Sequence, residues 1–277
     1  GIGDIKREIF GPVLHIARFK AEAVDQIIAA LNASGYGLTF GLHTRIDGRV
    51  QHLVSKLHVG NFYVNRNQIG AVVGSQPFGG EGLSGTGPKA GGPYYLHAFT
   101  GKATRKETMK VGPPLALHPP LALHIVQNAL NQLARPDTKP LATDDLPGPT
   151  GESNRLSVFA RGVILCLGPT LAAAKEQAAQ AESRGCTTLI VAPGCKDGCD
   201  GMLDLADLAN LAGFDGVALW GDQSSMRKAR KALASREGAI LPLLAEQDIA
   251  PRCITERHVC IDTTAAGGNA ALFAAVA

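Results

Sequence analysis

Hydrophobic residues recur at helical spacing in two segments near the beginning of the chain. Apolar positions at i, i+3, i+4 and i+7 predict one helix over residues 21–33 and another over residues 48–57. Strand-like apolar runs surround these helices, at residues 8–19, 38–42 and 62–65. Strands that alternate with helices in this way favour an α/β fold with a partly parallel sheet.

The second half of the chain repeats this alternation more regularly. Continuous apolar runs are typical of strands that are buried on both faces of a parallel sheet. The predicted strands are 163–167, 188–192, 216–220 and 239–244, and the predicted helices are 170–184, 202–211 and 224–236. Ser224 or Ser225 is expected to cap the last of these helices. The pattern predicts a Rossmann-like doubly wound domain, followed by a further strand at 257–262.

The pattern is weaker between these two α/β regions. Residues 101–112 are charged and bounded by glycine, as in a connector, and a helix is expected at about residues 121–133. Residues 135–154 are rich in Pro, Asp, Thr and Gly, which predicts a surface linker or a long loop.

The composition is that of a soluble globular protein. The chain has 277 residues, of which 45% are hydrophobic and 18% are charged, and its formal net charge is +3. This small charge, without a basic stripe interleaved with aromatic residues, gives no evidence of a nucleic-acid partner. No apolar run approaches the roughly 18 residues of a membrane span, and the N-terminal residues do not form a signal-peptide core.

The six cysteines are scattered, and several lie inside apolar runs. This distribution favours buried, reduced thiols in a cytosolic protein over a disulfide framework. Cys195 and Cys199 have the spacing of half a metal site, but no second pair or neighbouring histidine completes it. We therefore expect no metal.

A glycine-rich stretch over residues 60–95 is the candidate functional segment. It is too polar and too broken for a helix, and glycine lets backbone N–H groups turn toward an anion. A flexible linker would have a similar composition. However, the apolar residues within it, such as Ile69, Val72 and Phe78, argue against disorder.

This stretch also carries a family resemblance. The string GNFYVNRNQIGAVVGSQPFGGEGLSGTGPKAGGPYYL closely resembles part of the glutamate semialdehyde dehydrogenase half of the PutA family, the bifunctional proline-catabolic flavoenzymes. Glu8-Ile9-Phe10-Gly11-Pro12 resembles a motif of the wider aldehyde dehydrogenase superfamily, and residues 260–270 are similar to the closing motif of PutA proteins. The three matches occur in the family's order.

The resemblance implies a set of site residues. The residue matching Glu8 accepts hydrogen bonds from the nicotinamide ribose hydroxyls, and the residue matching Phe10 packs near the nicotinamide ring. The amides of Gly70 and Ala71 would bind the substrate carboxylate, and Phe78 would pack on the aliphatic part of the substrate. A carboxylate suits the ribose because it accepts hydrogen bonds from two hydroxyls.

The resemblance also implies the activity, cofactors and partners. The parent would oxidise L-glutamate γ-semialdehyde to L-glutamate with NAD, whereas FAD would serve only its proline dehydrogenase half. Upstream domains of the same polypeptide are implied partners, and a homo-oligomer is left open. The expected location is cytoplasmic, and the parent can associate with membranes through respiratory quinones.

The nucleophile of this chemistry is expected elsewhere. Aldehyde dehydrogenases use a cysteine that precedes the motif at Glu8, but the first cysteine here is Cys166. We therefore expect no catalytic residue in this chain, and no turnover by the chain alone. The alternative function is a non-catalytic lid or structural unit that closes a substrate tunnel or joins domains.

The resemblance implies the C-terminal part of an aldehyde dehydrogenase fold followed by a Rossmann-like doubly wound domain. We expect the chain to divide into four units. They are the C-terminal segment of an aldehyde dehydrogenase domain (1–109), a connector helix and linker (110–155), the Rossmann-like domain (156–256) and a lid motif (257–277). The turn at Gly168 has one glycine, a following proline and no acidic residue after the next strand. It therefore lacks an intact nucleotide fingerprint.

Overall fold

The structure is a computed structural model that describes residues 2–5, 9–96, 99 and 120–264. Within this part the helices are α1 (Val24–Ala33), α2 (Asp47–Lys56), α3 (Leu123–Gln132), α4 (Leu171–Glu182) and α5 (Gln223–Ala234). The strands are β1 (Tyr36–Gly37), β2 (Thr39–Leu42), β3 (Asn61–Val64), β4 (Glu81–Gly82), β5 (Ala142–Leu146), β6 (Glu152–Ala160), β7 (Val163–Cys166), β8 (Thr187–Ile190), β9 (Gly216–Ala218), β10 (Leu243–Leu244) and β11 (Ile254–Asp262).

A four-stranded sheet in the order β10-β9-β7-β8 forms the Rossmann-like part. All of its strand pairs are parallel, and α4 and α5 lie between consecutive strands along the chain. Each of the strand residues 163–166 and 216–218 is buried, as expected for strands covered on both faces. The predicted α/β class with a parallel sheet is confirmed.

A second, five-stranded sheet has the order β2-β3-β11-β6-β5. Strand β11 is central: it pairs in parallel with β3, where Cys260 lies opposite Tyr63, and antiparallel with β6, where Cys260 lies opposite Asn154. Strands separated by nearly 200 positions in the sequence are therefore direct neighbours, since Ile261 pairs with Val64.

The two faces of this sheet differ in chemistry. One face is apolar and packs under α1 and α2, with Phe62, Val259 and Ile261 in the cluster. Neighbouring residues along a strand point to opposite faces, so Asn61, Tyr63, His258 and Cys260 lie on the other face. That face is buried as well, because the glycine-rich loop over residues 65–92 covers it.

Several sequence predictions were wrong in detail. Residues 9–20 contain no regular secondary structure, and the predicted linker 135–154 contains β5 and the start of β6. The predicted helix 202–211 is a 3-10 helix over Leu205–Ala209. The cap of α5 is Asp222, whose side chain accepts a hydrogen bond from the Ser225 N–H.

The four-part division of the chain stays a prediction. The structure adds one fact to it: the five-stranded sheet contains strands from the expected aldehyde dehydrogenase segment, the linker, the Rossmann-like domain and the lid motif. Residues 265–277 of the lid motif lie outside the described residues. In the described ranges, no helix has both the length and the apolar character that a bilayer crossing requires.

Candidate functional site

Two of the predicted substrate residues, Gly70 and Ala71, lie on an exposed turn formed by residues 69–76, which we call the anchor turn. The Ser75 and Gln76 N–H groups donate to the Val72 carbonyl over 3.2 and 2.9 Å, which closes the turn. Gly74 has φ +88°, a value that glycine accommodates and other residues rarely adopt. Among the described residues, the N–H groups of Gly70 and Ala71 have no hydrogen-bond partner.

These unpaired amides can bind an anion. Gly70 is exposed and Ala71 is half-buried, so solvent or a ligand can reach the turn. Successive backbone N–H groups that point to one side can bind a carboxylate without any basic side chain. The neighbouring apolar side chains Ile69 and Val73 are 92% and 95% exposed, and they leave the turn open on its outer side.

A buried polar cluster holds the anchor turn from below. The Gln76 Oε1 accepts from the Val72 N–H over 3.0 Å, and the Gln76 Nε2 donates to the Glu152 Oε1 over 2.6 Å. The Arg66 Nη1 donates to the Glu152 Oε2 over 3.0 Å. Burial disfavours the ionised form of Glu152, but hydrogen bonds from Asn154 and Gln76 and the charge of Arg66 outweigh it and lower its pKa.

A second cluster holds the other end of the glycine-rich loop. The buried Lys89 donates through its backbone N–H to the Glu256 Oε2 over 2.8 Å, and its Nζ donates to the Asn61 Oδ1 over 2.9 Å and to the Gly79 carbonyl. Burial lowers the pKa of Lys89 to about 8. A Cβ at Gly60 would lie 1.9 Å from the Gly79 carbonyl oxygen, so the close packing of loop and strand requires glycine there.

The structure places the predicted site residues in two groups. Phe78 is half-buried and exchanges two backbone hydrogen bonds with Ala90, of 3.0 and 2.8 Å, so it lies on the same loop as Gly70 and Ala71. Phe10 is 94% exposed and lies in the extended segment before α1. Glu8 lies outside the described residues.

All six cysteines are buried. Cys166 lies in the core beside the four-stranded sheet, where burial raises its pKa. Cys260 is closest in position to the anchor turn, but it lies beneath the loop, and burial raises its pKa to about 12. The Cys186 pKa is lowered to about 7 by a hydrogen bond with Cys253, within the core of the Rossmann-like part. A nucleophile must be both ionised and accessible, and a buried thiol is not accessible.

The turn at Gly168 differs from the anchor turn because its amides are already used. The Gly168 N–H donates to the Gln177 Oε1 over 2.9 Å, and the Thr170 hydroxyl caps α4 by accepting from the Ala173 N–H. A phosphate at this turn would have to replace the Gln177 side chain, which is fully buried.

A small cavity of about 130 Å³ lies between the end of the glycine-rich loop and the Rossmann-like part. Its lining includes Lys89, Arg161, Asp215 and Glu256. Asp215 precedes β9, so the cavity is at the amino ends of the parallel strands. Ligands of doubly wound folds bind at the opposite, carboxyl edge. We therefore assign the cavity no ligand.

Sequence reasoning missed the residues that support the glycine-rich loop, namely Gln76 and Glu152 at the anchor turn and Lys89 and Glu256 at the other end. The alternation of polar and apolar residues in Glu152–Ala160 and Ile254–Asp262 was the available signal. It indicates strands with one polar face. A polar face that is buried needs partners, and the polar residues of the glycine-rich loop were the candidates.

Comparisons with known proteins show what this chain is similar to. Residues 4–104 match the aldehyde dehydrogenase family. The bifunctional protein PutA of Escherichia coli (strain K12) is 37% identical over 305 residues, covering 97% of this chain and 23% of that protein. The 1-pyrroline-5-carboxylate dehydrogenase of Bacillus cereus (strain B4264) is 45% identical over 105 residues, covering 38% of this chain and 20% of that protein.

A solved structure gives the same result for the fold. The structure of proline utilization A (PutA) from Corynebacterium freiburgense is similar with a TM-score of 0.51 and 20% identity, covering 87% of this chain and 24% of that one. The chain thus contains part of an aldehyde dehydrogenase family domain, and over nearly its whole length it is homologous to a segment of PutA proteins. It spans 23% of the length of the E. coli protein.

Proposed function

We propose that this chain supplies the substrate-anchoring surface, and part of the cofactor-binding surface, of an NAD-dependent L-glutamate γ-semialdehyde dehydrogenase. In this proposal it belongs to a longer PutA-type protein whose upstream domains also oxidise proline with FAD. The support is the homology over 97% of the chain. The observation that carries the site is the pair of unpaired amides at Gly70 and Ala71.

The anchor turn binds the end of the substrate that does not react. The Gly70 and Ala71 N–H groups donate to the α-carboxylate, and Phe78 packs on the aliphatic chain between the carboxylate and the aldehyde. Hydrogen bonds to a charged acceptor contribute about 1.5–3 kcal/mol each. Fixing the carboxylate holds the aldehyde at a defined distance from the turn, where a reactive group can meet it.

The nicotinamide side of the site is provided by the segment before α1. The aldehyde dehydrogenase family uses a nicotinamide cofactor of the NAD(P) type, and we propose NAD, which supplies the hydride acceptor. Glu8 accepts hydrogen bonds from the ribose hydroxyls, and Phe10 packs against the ring. Phe10 fits this role because it is 94% exposed and free to contact a ligand.

The thiol that attacks the aldehyde comes from an upstream segment of the longer protein. The burial of all six cysteines supports this assignment, since none can reach the anchor turn from solvent. The chain alone therefore positions substrate but does not oxidise it.

Steady-state kinetics on the full-length protein test the proposal. We expect NAD-dependent oxidation of L-glutamate γ-semialdehyde, with a higher kcat/KM than for butanal, which has no carboxylate. This chain alone should give no turnover with either aldehyde. Turnover by the chain alone would overturn the assignment of the nucleophile, and equal kcat/KM values for the two aldehydes would overturn the carboxylate site.

A second candidate function is structural, and the central place of β11 favours it. This strand completes the five-stranded sheet, so the C-terminal half acts as a cover for the aldehyde dehydrogenase segment. The two functions are compatible in a longer protein. Deleting residues 254–277 tests the structural function. If β11 is an integral strand of the sheet, the deletion unfolds β2 and β3, whereas loss of a purely peripheral lid would leave them folded.

A further inference from the structure

We propose that Gln76 and Glu152 are positioning residues: together they hold the anchor turn in the shape that presents the Gly70 and Ala71 amides to the substrate carboxylate. This inference rests on the proposed function and deepens it, since it names residues that set carboxylate recognition without touching the substrate.

The Gln76 side chain is a bridge with a fixed polarity. Its carbonyl oxygen accepts from the Val72 N–H, one residue after Ala71, and its amide nitrogen donates to the Glu152 Oε1. Gln76 is 2% exposed. A buried amide bound at both ends has one orientation only, because reversing it would set donor against donor and acceptor against acceptor.

Glu152 is held by further bonds, so the bridge has a rigid support. The Arg66 Nη1 donates to its second oxygen over 3.0 Å, and the Asn154 Nδ2 donates to the Oε1 over 2.9 Å. Glu152 is the first residue of β6, and its backbone lies opposite Asp262 of β11. The support of the anchor turn therefore comes from strands of the C-terminal half of the chain.

The bond from the Val72 N–H to Gln76 fixes the backbone next to the two amides that bind the carboxylate. The turn has three successive N–H groups at residues 70–72, and Gln76 takes the third. Without this bond the Val72 N–H would compete for the same acceptors, and the turn could rotate about Gly70 and Gly74. A ligand whose binding depends on two amide directions would then lose affinity.

Exchanging the two side chains tests the bridge. Gln76→Glu sets a carboxylate against Glu152, and Glu152→Gln sets an amide against Arg66, so each single variant breaks the chain of bonds. The double variant Q76E/E152Q restores it with the same net charge: the Val72 N–H donates to Glu at 76, and Gln at 152 donates to its other oxygen and accepts from Arg66. The Asn154 amide, which donates to the Glu152 Oε1 in the unmodified chain, then turns over so that its Oδ1 accepts the second N–H of Gln at 152.

Two readouts are required. Hydrogen–deuterium exchange on this chain reports the protection of the hydrogen-bonded anchor-turn amides of Val72, Ser75 and Gln76, and we expect about tenfold faster exchange of these amides in each single variant. Kinetics on the full-length protein should show about a tenfold rise in KM for L-glutamate γ-semialdehyde with little change in kcat, and no change for butanal. The double variant should return both values toward those of the unmodified protein.

Gln68→Glu is the matched control, because it makes the same change at an exposed position of the same loop and should alter neither readout. Unchanged exchange in both single variants would overturn the inference, and so would faster exchange without a rise in KM. A double variant no better than the single ones would also contradict it. Unmodified full-length protein that does not oxidise the semialdehyde would instead overturn the proposed function, while the exchange experiment would still decide whether the pair holds the turn.

Discussion

Two glycine-containing turns of this molecule use their backbone amides in opposite ways. At the anchor turn the Gly70 and Ala71 N–H groups have no partner among the described residues, and the supporting side chain of Glu152 comes from a distant strand. At Gly168 the N–H is bound by Gln177, nine residues further along the same strand–helix unit. Glycine alone therefore does not define an anion site.

The difference teaches where such a site obtains its support. The Gly168 N–H is used by a side chain of its own strand–helix unit. The anchor turn also uses its Val72, Ser75 and Gln76 N–H groups internally, but with support from Glu152 it leaves the Gly70 and Ala71 donors free. The glycine-rich loop is held by side chains from outside it, including Glu152, Arg161 and Glu256. Free amides at one place in the fold thus depend on contacts with another.

The largest expected effect is on the outside support of the loop. The Arg161 guanidinium donates to the carbonyls of Thr86, Arg252 and Ile254, over 2.8, 2.6 and 2.8 Å. Arg161→Met leaves these acceptors without that donor, so we expect the free energy of unfolding to fall by about 2–4 kcal/mol. Urea denaturation measures it. Arg184→Met, at an exposed position, should change stability by less than about 0.5 kcal/mol.

The second-largest expected effect is a loss of stability at low pH, and it arises from His258, which is buried beneath the glycine-rich loop. Burial, assisted by the charge of Lys89, lowers the pKa of His258 to about 4, from an ordinary value of 6.5. Between these values the unfolded chain binds a proton that the folded chain does not, so stability falls as the pH drops from 6.5 toward 4. The contribution is up to about 3 kcal/mol.

Denaturation at a series of pH values checks this prediction. His258→Leu should flatten the loss of stability in that window, whereas His43→Leu, at an exposed position, should leave it unchanged. An unaltered pH profile in the His258 variant would show that the region under the loop does not titrate in this range.

The third-largest expected effect is on kcat/KM and concerns the unpaired N–H groups of Gly70 and Ala71. Ala71→Pro removes one N–H from the anchor turn, and we expect kcat/KM of the full-length protein for the semialdehyde to fall by about 10- to 100-fold. Ala71→Gly keeps the N–H and should retain most of the activity. If the proline variant lost activity on butanal to the same extent, the loss would lie in folding, and the amide would have no specific role.

The smallest effect on stability is expected at the turn that contains Gly168. Gln177→Ala removes the partner of the Gly168 N–H and should lower the free energy of unfolding by about 1–2 kcal/mol. The control variant Glu176→Ala, at the exposed neighbouring position, should change it little. Gln177→Ala should not alter semialdehyde kinetics. Titration of the chain with NAD should show no saturable binding that depends on Gln177, and such binding would contradict the contrast between the two turns.

The sequence predicted the elements whose pattern is local. The helix expected at 48–57 is Asp47–Lys56, and the strand expected at 163–167 is Val163–Cys166, because apolar periodicity reports burial directly. Strand β6 was missed because its inward residues Glu152 and Asn154 are polar, and polar residues next to Pro and Gly are typical of a surface loop. The predicted strand at 239–244 is longer than the observed one, since only Leu243–Leu244 pair with β9.

For the site, sequence reasoning supplied candidate residues that stay predictions. The motif resemblance gave the loop and its candidate amides, and the family was confirmed by the comparisons. The bridge from Gln76 to Glu152 could not be predicted, because it joins residues 76 positions apart that meet only when β11 aligns β3 and β6. Long-range pairing of this kind leaves no local periodicity in the sequence.

The central position of β11 has a consequence for the order of events during biosynthesis. A ribosome delivers β3 long before residues 254–262, so the nascent chain must keep the edge of β3 and the polar residues beside it unpaired while the intervening segments emerge. The anchor turn can therefore acquire its full support only after residues 254–262 have left the ribosome. A premature stop before residue 254 would leave two separate strand pairs in place of one continuous sheet.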